Sequence, residues 1–337
     1  WRNTRDFVKA IKANEIIDCP ITVDDVMAAE DIFGPEVGSL KGKTVRQQPD
    51  QVKVRHVDIP IMIMDRHRVV TVSADIMYIN GIRFLVTISR NIGFGTAEML
   101  PNAKEATLMQ SFKALKRLYG QRGFKLRHLL MDGQFEPLRG DLAGINCALN
   151  TVSRGEHVPE AERYIRVVKE RVRADYNTVP FKRLPGRMII EMVYRAVFWL
   201  NCFVRKGGIS QTMSPRMVIV GQGISYAKHC RLKFGQYAQV HEEHDNSMAT
   251  RTTGAIALRP TGNAQGGHYF FSLVTGRVLN RSHWTALPMP QEVIDRVHVL
   301  ARRNPLGLNF GDRHNRSQIA DFDDVDDDDD ADYDPRT

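Results

Sequence analysis

Residues 69–78, Val69-Val70-Thr71-Val72-Ser73-Ala74-Asp75-Ile76-Met77-Tyr78, are β-branched and apolar enough for a central strand, yet a carboxylate stands inside the run. A carboxylate in such a place is costly unless it is paired or bound to a metal. Asn80-Gly81 follows, a dipeptide suited to a two-residue hairpin turn. Residues 82–89, Ile-Arg-Phe-Leu-Val-Thr-Ile-Ser, supply the antiparallel partner. Any fold for this chain must be built around a hairpin that buries an acid.

The next elements read outward from that hairpin. Residues 93–100 suggest a third strand, and Lys104 to Tyr119 a helix with Ala106, Met109, Phe112, Leu115 and Leu118 on one face. Gly120 and Gly123 end the helix, and residues 124–131 form a fourth strand closing on Asp132-Gly133. A looser stretch leads to Pro159, which suits the first turn of a helix running to about Tyr176, with Ala161, Ile165, Val168 and Val172 as its apolar stripe. Met188 to Val204 is a further apolar helix. Glu191 and Arg195 interrupt it, so it reads as a buried helix rather than a membrane span. The order β-β-β-α-β-α-α is that of the ribonuclease H-like fold, a mixed α/β sheet flanked by helices.

Outside this core the texture changes. Residues 1–55 are polar with short helical stretches, one starting at Asp24 with Thr22 as its cap. The segment from Gly38 to Thr44 has one residue too few between its glycines for a phosphate loop. The core is placed at 56–230. Residues 235–290 show short strands at Tyr237–His241, 254–258, 268–273 and 278–284, expected to form a small all-β barrel. A closing helix and linker occupy 291–314, with the helix at Gln291 to Arg302. Residues 315–337 are expected to be a disordered acidic tail.

Charge narrows the partners. Residues 321–337 hold ten Asp and one Arg, so residues 1–320 carry 46 basic and 29 acidic side chains, a net of +17 against +8 for the whole chain. A basic body of this kind suits the neutralisation of phosphates. Cys19, Cys147, Cys202 and Cys230 are too far apart for a zinc knuckle and are expected to be buried free thiols of an intracellular protein. The first residue is not Met, which suggests a fragment or a processed product.

Transfer of a phosphodiester calls for two divalent ions about 4 Å apart, held by carboxylates on rigid elements. Asp75 lies in one strand, Asp132 ends another, and Glu162 opens the helix that follows. Along that helix Arg163, Arg166, Lys169, Arg171 and Arg173 offer a track for DNA phosphates, which Arg277 and Arg281 would extend. A solvated face laced with pairs such as Glu162–Arg166 is the alternative. His128 and His157 flank the site in structural roles, and Phe270 and Trp284 are expected in the barrel core.

The contexts of these acids resemble the integrases of copia-like long-terminal-repeat retrotransposons. Asp75-Ile76-Met77-Tyr78-Ile79-Asn80-Gly81 resembles the family's first-aspartate strand and turn. Met131-Asp132-Gly133-Gln134-Phe135-Glu136 resembles its Asp-Asn-Gly-x-Glu-Phe segment, with the acid and the aromatic shifted. The stretch from His157 to Arg166 is similar to its Pro-x-x-Asn-Gly-x-x-Glu-Arg-x-x-Arg, with Pro159-Glu160-Ala161 where Asn-Gly is usual. Trp199-Leu200-Asn201, Ser214-Pro215-Arg216 and Phe234-Gly235-Gln236-Tyr237 resemble later landmarks, and the likeness covers roughly residues 60–290. Only 29 residues separate Asp132 from Glu162, fewer than is usual in the family, so Glu170 and then Glu160 stand behind Glu162 as third ligand.

The resemblance implies a DNA strand transferase with endonuclease activity. Mg²⁺ or Mn²⁺ would be held as two ions by Asp75, Asp132 and Glu162, with no zinc in this segment. It also implies double-stranded DNA from element ends and target as partner, a homo-multimer, downstream polyprotein segments such as a reverse transcriptase, and no membrane. The setting would be a cytoplasmic particle and the nucleus. Two other readings stay open at this point: a catalytically inactive DNA-binding or assembly segment of a decayed element, and a ribonuclease H-like nuclease.

Overall fold

Asn80 and Gly81 both adopt positive φ, 50° and 74°, the left-handed backbone that a tight hairpin needs. The strands they join therefore pair antiparallel without interruption from Val72↔Ser89 to Ile79↔Ile82. The computed structural model describes residues 4–45, 51–52, 56–152, 158–243, 247–302 and 310–311. His157 and the acidic tail lie outside them.

In chain order the elements begin with α1 (Thr4–Lys12), α2 (Val23–Phe33), α3 (Val37–Lys43) and α4 (Ile61–His67). The first sheet follows with β1 (Val69–Ile79), β2 (Ile82–Ser89), β3 (Gly95–Leu100), α5 (Glu105–Gly120) and β4 (Lys125–Asp132). A 3-10 turn (Gly133–Leu138), α6 (Arg139–Gly144) and β5 (Ala148–Val152) come next. They are followed by α7 (Pro159–Thr178), α8 (Gly186–Cys202), α9 (Pro215–Val220) and α10 (Tyr226–His229). The second sheet comprises β6 (Tyr237–His241), β7 (Thr252–Pro260), β8 (His268–Ser272), β9 (Val278–Arg281) and β10 (Trp284–Ala286). Helix α11 (Gln291–Leu300) and the two-residue β11 (Phe310–Gly311), which pairs with the end of β1, complete the described chain. No helix among these residues is long and apolar enough to cross a membrane.

The first sheet runs β3-β2-β1-β4-β5, antiparallel across the hairpin strands and parallel from β1 through β4 to β5. Side chains alternate across β1. Val70, Val72, Ala74 and Ile76 pack with Phe112 and Leu115 of α5 on one face. Met77 and Ile79 pack with Val168 and Val172 of α7 and Met188 and Met192 of α8 on the other. A mixed five-strand sheet flanked by helices is the result.

Three expectations need correction. The stretch between Asp132 and Pro159 is not loose: its short turn, helix and strand bury Phe135, Leu138, Leu142 and Cys147. Elements of five or six residues are too short to show a period, and β5 is held by pairing with β4 rather than by its own composition. On α5 the buried set is Leu108, Met109, Phe112, Leu115 and Tyr119, with Ala106 exposed. A spacing of three drifts around a helix of 3.6 residues per turn, so the stripe follows steps of three and four. Of the cysteines, all free, only Cys147 is buried; Cys19 and Cys202 are half-buried and Cys230 is exposed.

The second sheet runs β10-β6-β7-β8-β9, all antiparallel. Residues 278–284, expected as one strand, split here. Val278–Arg281 pairs with β8 and Trp284–Ala286 with β6, so the chain passes from one edge of the sheet to the other across Ser282 and His283. That short step requires the sheet to curl until its edges approach. Phe270, Val240 and Ala257 fill its concave core with Trp284 packed against them. Ile256, Leu258 and Phe271 instead join the cluster around α8, and Val297 of α11 closes it.

One buried amide ties α8 to the first sheet. Asn201, 6% exposed, accepts from the Gly95 N–H at 2.9 Å and donates to the Gly95 carbonyl at 2.7 Å. Replacing it by leucine strands both backbone groups, and the expected loss is about 2–4 kcal/mol. The midpoint of a denaturant titration measures it; a loss below about 1 kcal/mol would mean that other groups satisfy Gly95.

Candidate active site

Ser73 pairs with Leu130 where β1 and β4 run parallel. Continuing that register by two residues brings Asp75 level with Asp132, on strands that lie about 4.8 Å apart where paired. Both side chains leave the sheet on the face covered by α7 and α8, since their neighbours in β1 and β4, Ala74 and Met131, enter the opposite core. Asp75 is 8% exposed and Asp132 3%. The continued register therefore sets two buried carboxylates on one face of neighbouring strands.

Asp75 Oδ1 accepts from the Ile76 N–H at 2.7 Å and from Gln134 Nε2 at 3.4 Å. Gln134 belongs to the turn that Asp132 opens, so the segment after one aspartate reaches back to the other. Glu136, in the same turn, is engaged elsewhere: Arg139 and Thr151 donate to it and hold its carboxyl below the usual range.

Helix α7 crosses this face with three candidate acids. Glu160 Oε2 accepts from Ser73 Oγ at 2.6 Å and Oε1 from Arg90 Nε at 2.7 Å. Burial pushes its pKa up, but the two hydrogen bonds and the charges of Arg90 and Arg205 outweigh this and leave it lowered. Glu162 is exposed, and at 100° per residue it leaves the helix 200° from Glu160. Glu170 is also exposed and lies about 12 Å further along the axis, at about 1.5 Å per residue. Among the described residues, no group of three or more His, Cys, Asp or Glu is arranged to hold a metal ion. With the register continued, Asp75 and Asp132 fall on one face of the sheet, while Glu160 is engaged by Ser73 and Arg90 and Glu162 and Glu170 are exposed.

The cations of α7 divide into two rows. Arg163 and Arg171 face a cleft of about 890 Å³ between α7, the end of α8 and the turn joining β2 to β3. By helical angle Arg166, Lys169 and Arg173 form the other row. His128 is exposed on β4. Arg277 is exposed, whereas Arg281 is held by Glu242 at 2.5 Å and by the His241 carbonyl. Phe270 is fully buried as expected. Trp284 is only partly buried, with the Arg231 guanidinium 4.4 Å above its ring.

Several participants escaped the sequence reading. Ser73 and Arg90 have no local mark, because their partner Glu160 lies 87 and 70 residues away. Only Gln134 had a signal, its place in the segment around Asp132.

No family model and no curated protein matches the chain. Among solved structures, the catalytic core domain of BIV integrase matches at 18% identity and a TM-score of 0.32, covering 44% of this chain and 93% of that one. The HTLV-2 integrase catalytic core domain, in a trimeric form in complex with magnesium, matches at 12% identity and a TM-score of 0.34, covering 44% and 95%.

Proposed function

We propose that this protein is an integrase-type DNA strand transferase of a copia-like long-terminal-repeat retrotransposon. The observation that carries the reading is that Asp75 and Asp132 are both buried on the neighbouring parallel strands β1 and β4, with the basic helix α7 packed over β1. Two such carboxylates suit a hard divalent cation, which would relieve the cost of their burial. When bound, Mg²⁺ or Mn²⁺ ions would supply charge stabilisation of the attacking and leaving oxygens of a phosphodiester. The protein's own part is to hold those carboxylates on a rigid sheet, to brace Asp75 through Gln134, and to position DNA phosphates with the cations of α7.

Glu162 completes the set in this reading. Glu160 is taken up by Ser73 and Arg90, whereas Glu162 leaves α7 on its other flank. The Glu-Arg-x-x-Arg context points to the same residue. In the reaction a DNA 3′-hydroxyl attacks a target phosphorus; a new P–O bond forms, the P–O3′ bond of the target breaks, and the proton passes to solvent.

The remaining parts of the proposal are a small β-barrel in the second sheet, a homo-multimer acting on double-stranded DNA, and downstream polyprotein segments such as a reverse transcriptase. Work in a cytoplasmic particle and the nucleus completes it. The test is strand transfer on oligonucleotide duplexes in Mg²⁺ or Mn²⁺ against EDTA. Joined product with metal alone is the expected result. Salt-dependent duplex binding without joining would favour a DNA-binding or assembly segment, and cleavage of RNA–DNA hybrids alone a plain nuclease.

A further inference from the structure

The cleft beside α7 has features that phosphate contact by a helix does not explain. Arg90 and Arg195 on its wall are matched by Glu160 and Asp175. Arg163, Arg171, Arg205 and Lys206 also line it, and no hydrogen bond or ion pair among the described residues engages their side chains. The cleft therefore has a surplus of four positive charges.

Two buried polar atoms on its lining residues also lack a partner among the described residues, Tyr164 Oη and Trp199 Nε1. The Tyr164 hydroxyl is packed against Gly95 of β3, where a Cβ would lie 2.1 Å from it, so it is turned toward the sheet and only the rest of the side chain lines the cleft. Burial pushes its pKa well up, keeping the hydroxyl protonated and able to donate. A buried donor with no acceptor is costly, and for Trp199 Nε1 a ligand oxygen or ring nitrogen would remove the cost.

The third feature is aromatic. Trp199 stacks on Phe203 with ring centroids 6.5 Å apart and planes 30° apart, and Phe203 is 66% exposed. A ligand that suits cations, a buried donor and an exposed ring carries negative charge, acceptor atoms and a flat face. Base-on-aromatic stacking beside a basic groove is how single strands are held, and the cleft volume of about 890 Å³ admits a nucleotide.

We propose that this cleft binds the phosphate and base of an unpaired nucleotide at a single-stranded DNA end. Arg163, Arg171, Arg205 and Lys206 would meet the phosphates, and the Trp199–Phe203 pair the base. The inference rests on the nucleic-acid reading of α7 but not on metal chemistry. The assay therefore runs in EDTA, where failure of strand transfer cannot move it.

The experiment is fluorescence-anisotropy binding of a labelled short oligothymidylate and of a labelled blunt duplex to the full chain. Phe203→Ala is expected to weaken the single strand at least about fivefold, and Arg205→Ala with Lys206→Ala at least about tenfold. Duplex affinity should change less than about twofold in the exposed Phe203→Ala variant. Equal loss for both probes in that variant, or no loss for either, would overturn the proposal. Full displacement of the oligothymidylate by thymidine monophosphate at equal nucleotide concentration would also overturn it, assigning the cleft to a free nucleotide.

Discussion

Protein carrying Asp75→Asn or Asp132→Asn is expected to lose metal-dependent strand transfer by at least about a hundredfold while folding as well as the parent. Asparagine keeps the shape of aspartate and removes its charge. Both carboxylates are buried, so the neutral amide avoids the cost of a charge out of water in the absence of metal. Thermal stability in EDTA should therefore hold or rise, which separates the result from simple misfolding. Glu162→Gln should match the aspartate variants in activity. Glu160→Gln should cost less than about tenfold, because it loses an ion pair to a half-exposed Arg90 that contributes about 1 kcal/mol or less. If both aspartate variants kept joining DNA, the assignment would fall. If Glu160→Gln abolished joining and Glu162→Gln did not, the third ligand would move to Glu160.

Arg259→Ala should destabilise the fold by about 3–5 kcal/mol near pH 8. Arg259 of β7 donates to Glu191 of α8 at 2.7 Å, and Glu191 is only 6% exposed. The guanidinium also lies 4.3 Å from the Tyr269 ring and 5.4 Å from that of Tyr194. Removing it leaves a buried carboxylate without its hydrogen-bonded partner, with only the more weakly acting charge of Arg187. Burial already raises the pKa of Glu191 above its ordinary value of 4.5, and Arg259 opposes the rise. Without Arg259 the rise grows. An acid whose folded pKa is raised stabilises the fold while protonated and loses that contribution as pH climbs through the folded value. The penalty should thus shrink toward pH 5 and grow toward pH 8. Adding Glu191→Gln should restore much of the stability at pH 8. Urea midpoints at both pH values provide the measurement, and a penalty independent of pH would show that lost ring packing, not the stranded charge, dominates.

Local sequence marks go far in this protein. Asn80-Gly81 announces the hairpin because two consecutive left-handed residues suit few other sequences. Thr22 and Asp25 cap α2 reciprocally, as a threonine before an acidic first turn implies. The apolar stripe of α7 appears where Ala161, Val168 and Val172 recur at helical spacing. For the site, strand placement together with the family-like segments around them is what makes Asp75 and Asp132 candidates.

Contacts between distant segments are another matter. Strand β5, five residues with polar Asn150 and Thr151, exists because β4 offers a free edge. The break at Ser282 and His283 follows from edges that must meet, a condition absent from any window of sequence. Gln134 reaching Asp75, Asn201 clamping Gly95 and Ser73 with Arg90 saturating Glu160 likewise join residues far apart in the chain. By itself, then, the sequence determined the strands and helices, the buried acid in the central strand and the basic helix beside it, because backbone preference and side-chain period act within a few residues. The tertiary structure alone decided that both aspartates are buried on neighbouring strands, that Glu160 is already engaged, and that cations and aromatics enclose a cleft. Those outcomes depend on the register and packing of whole elements.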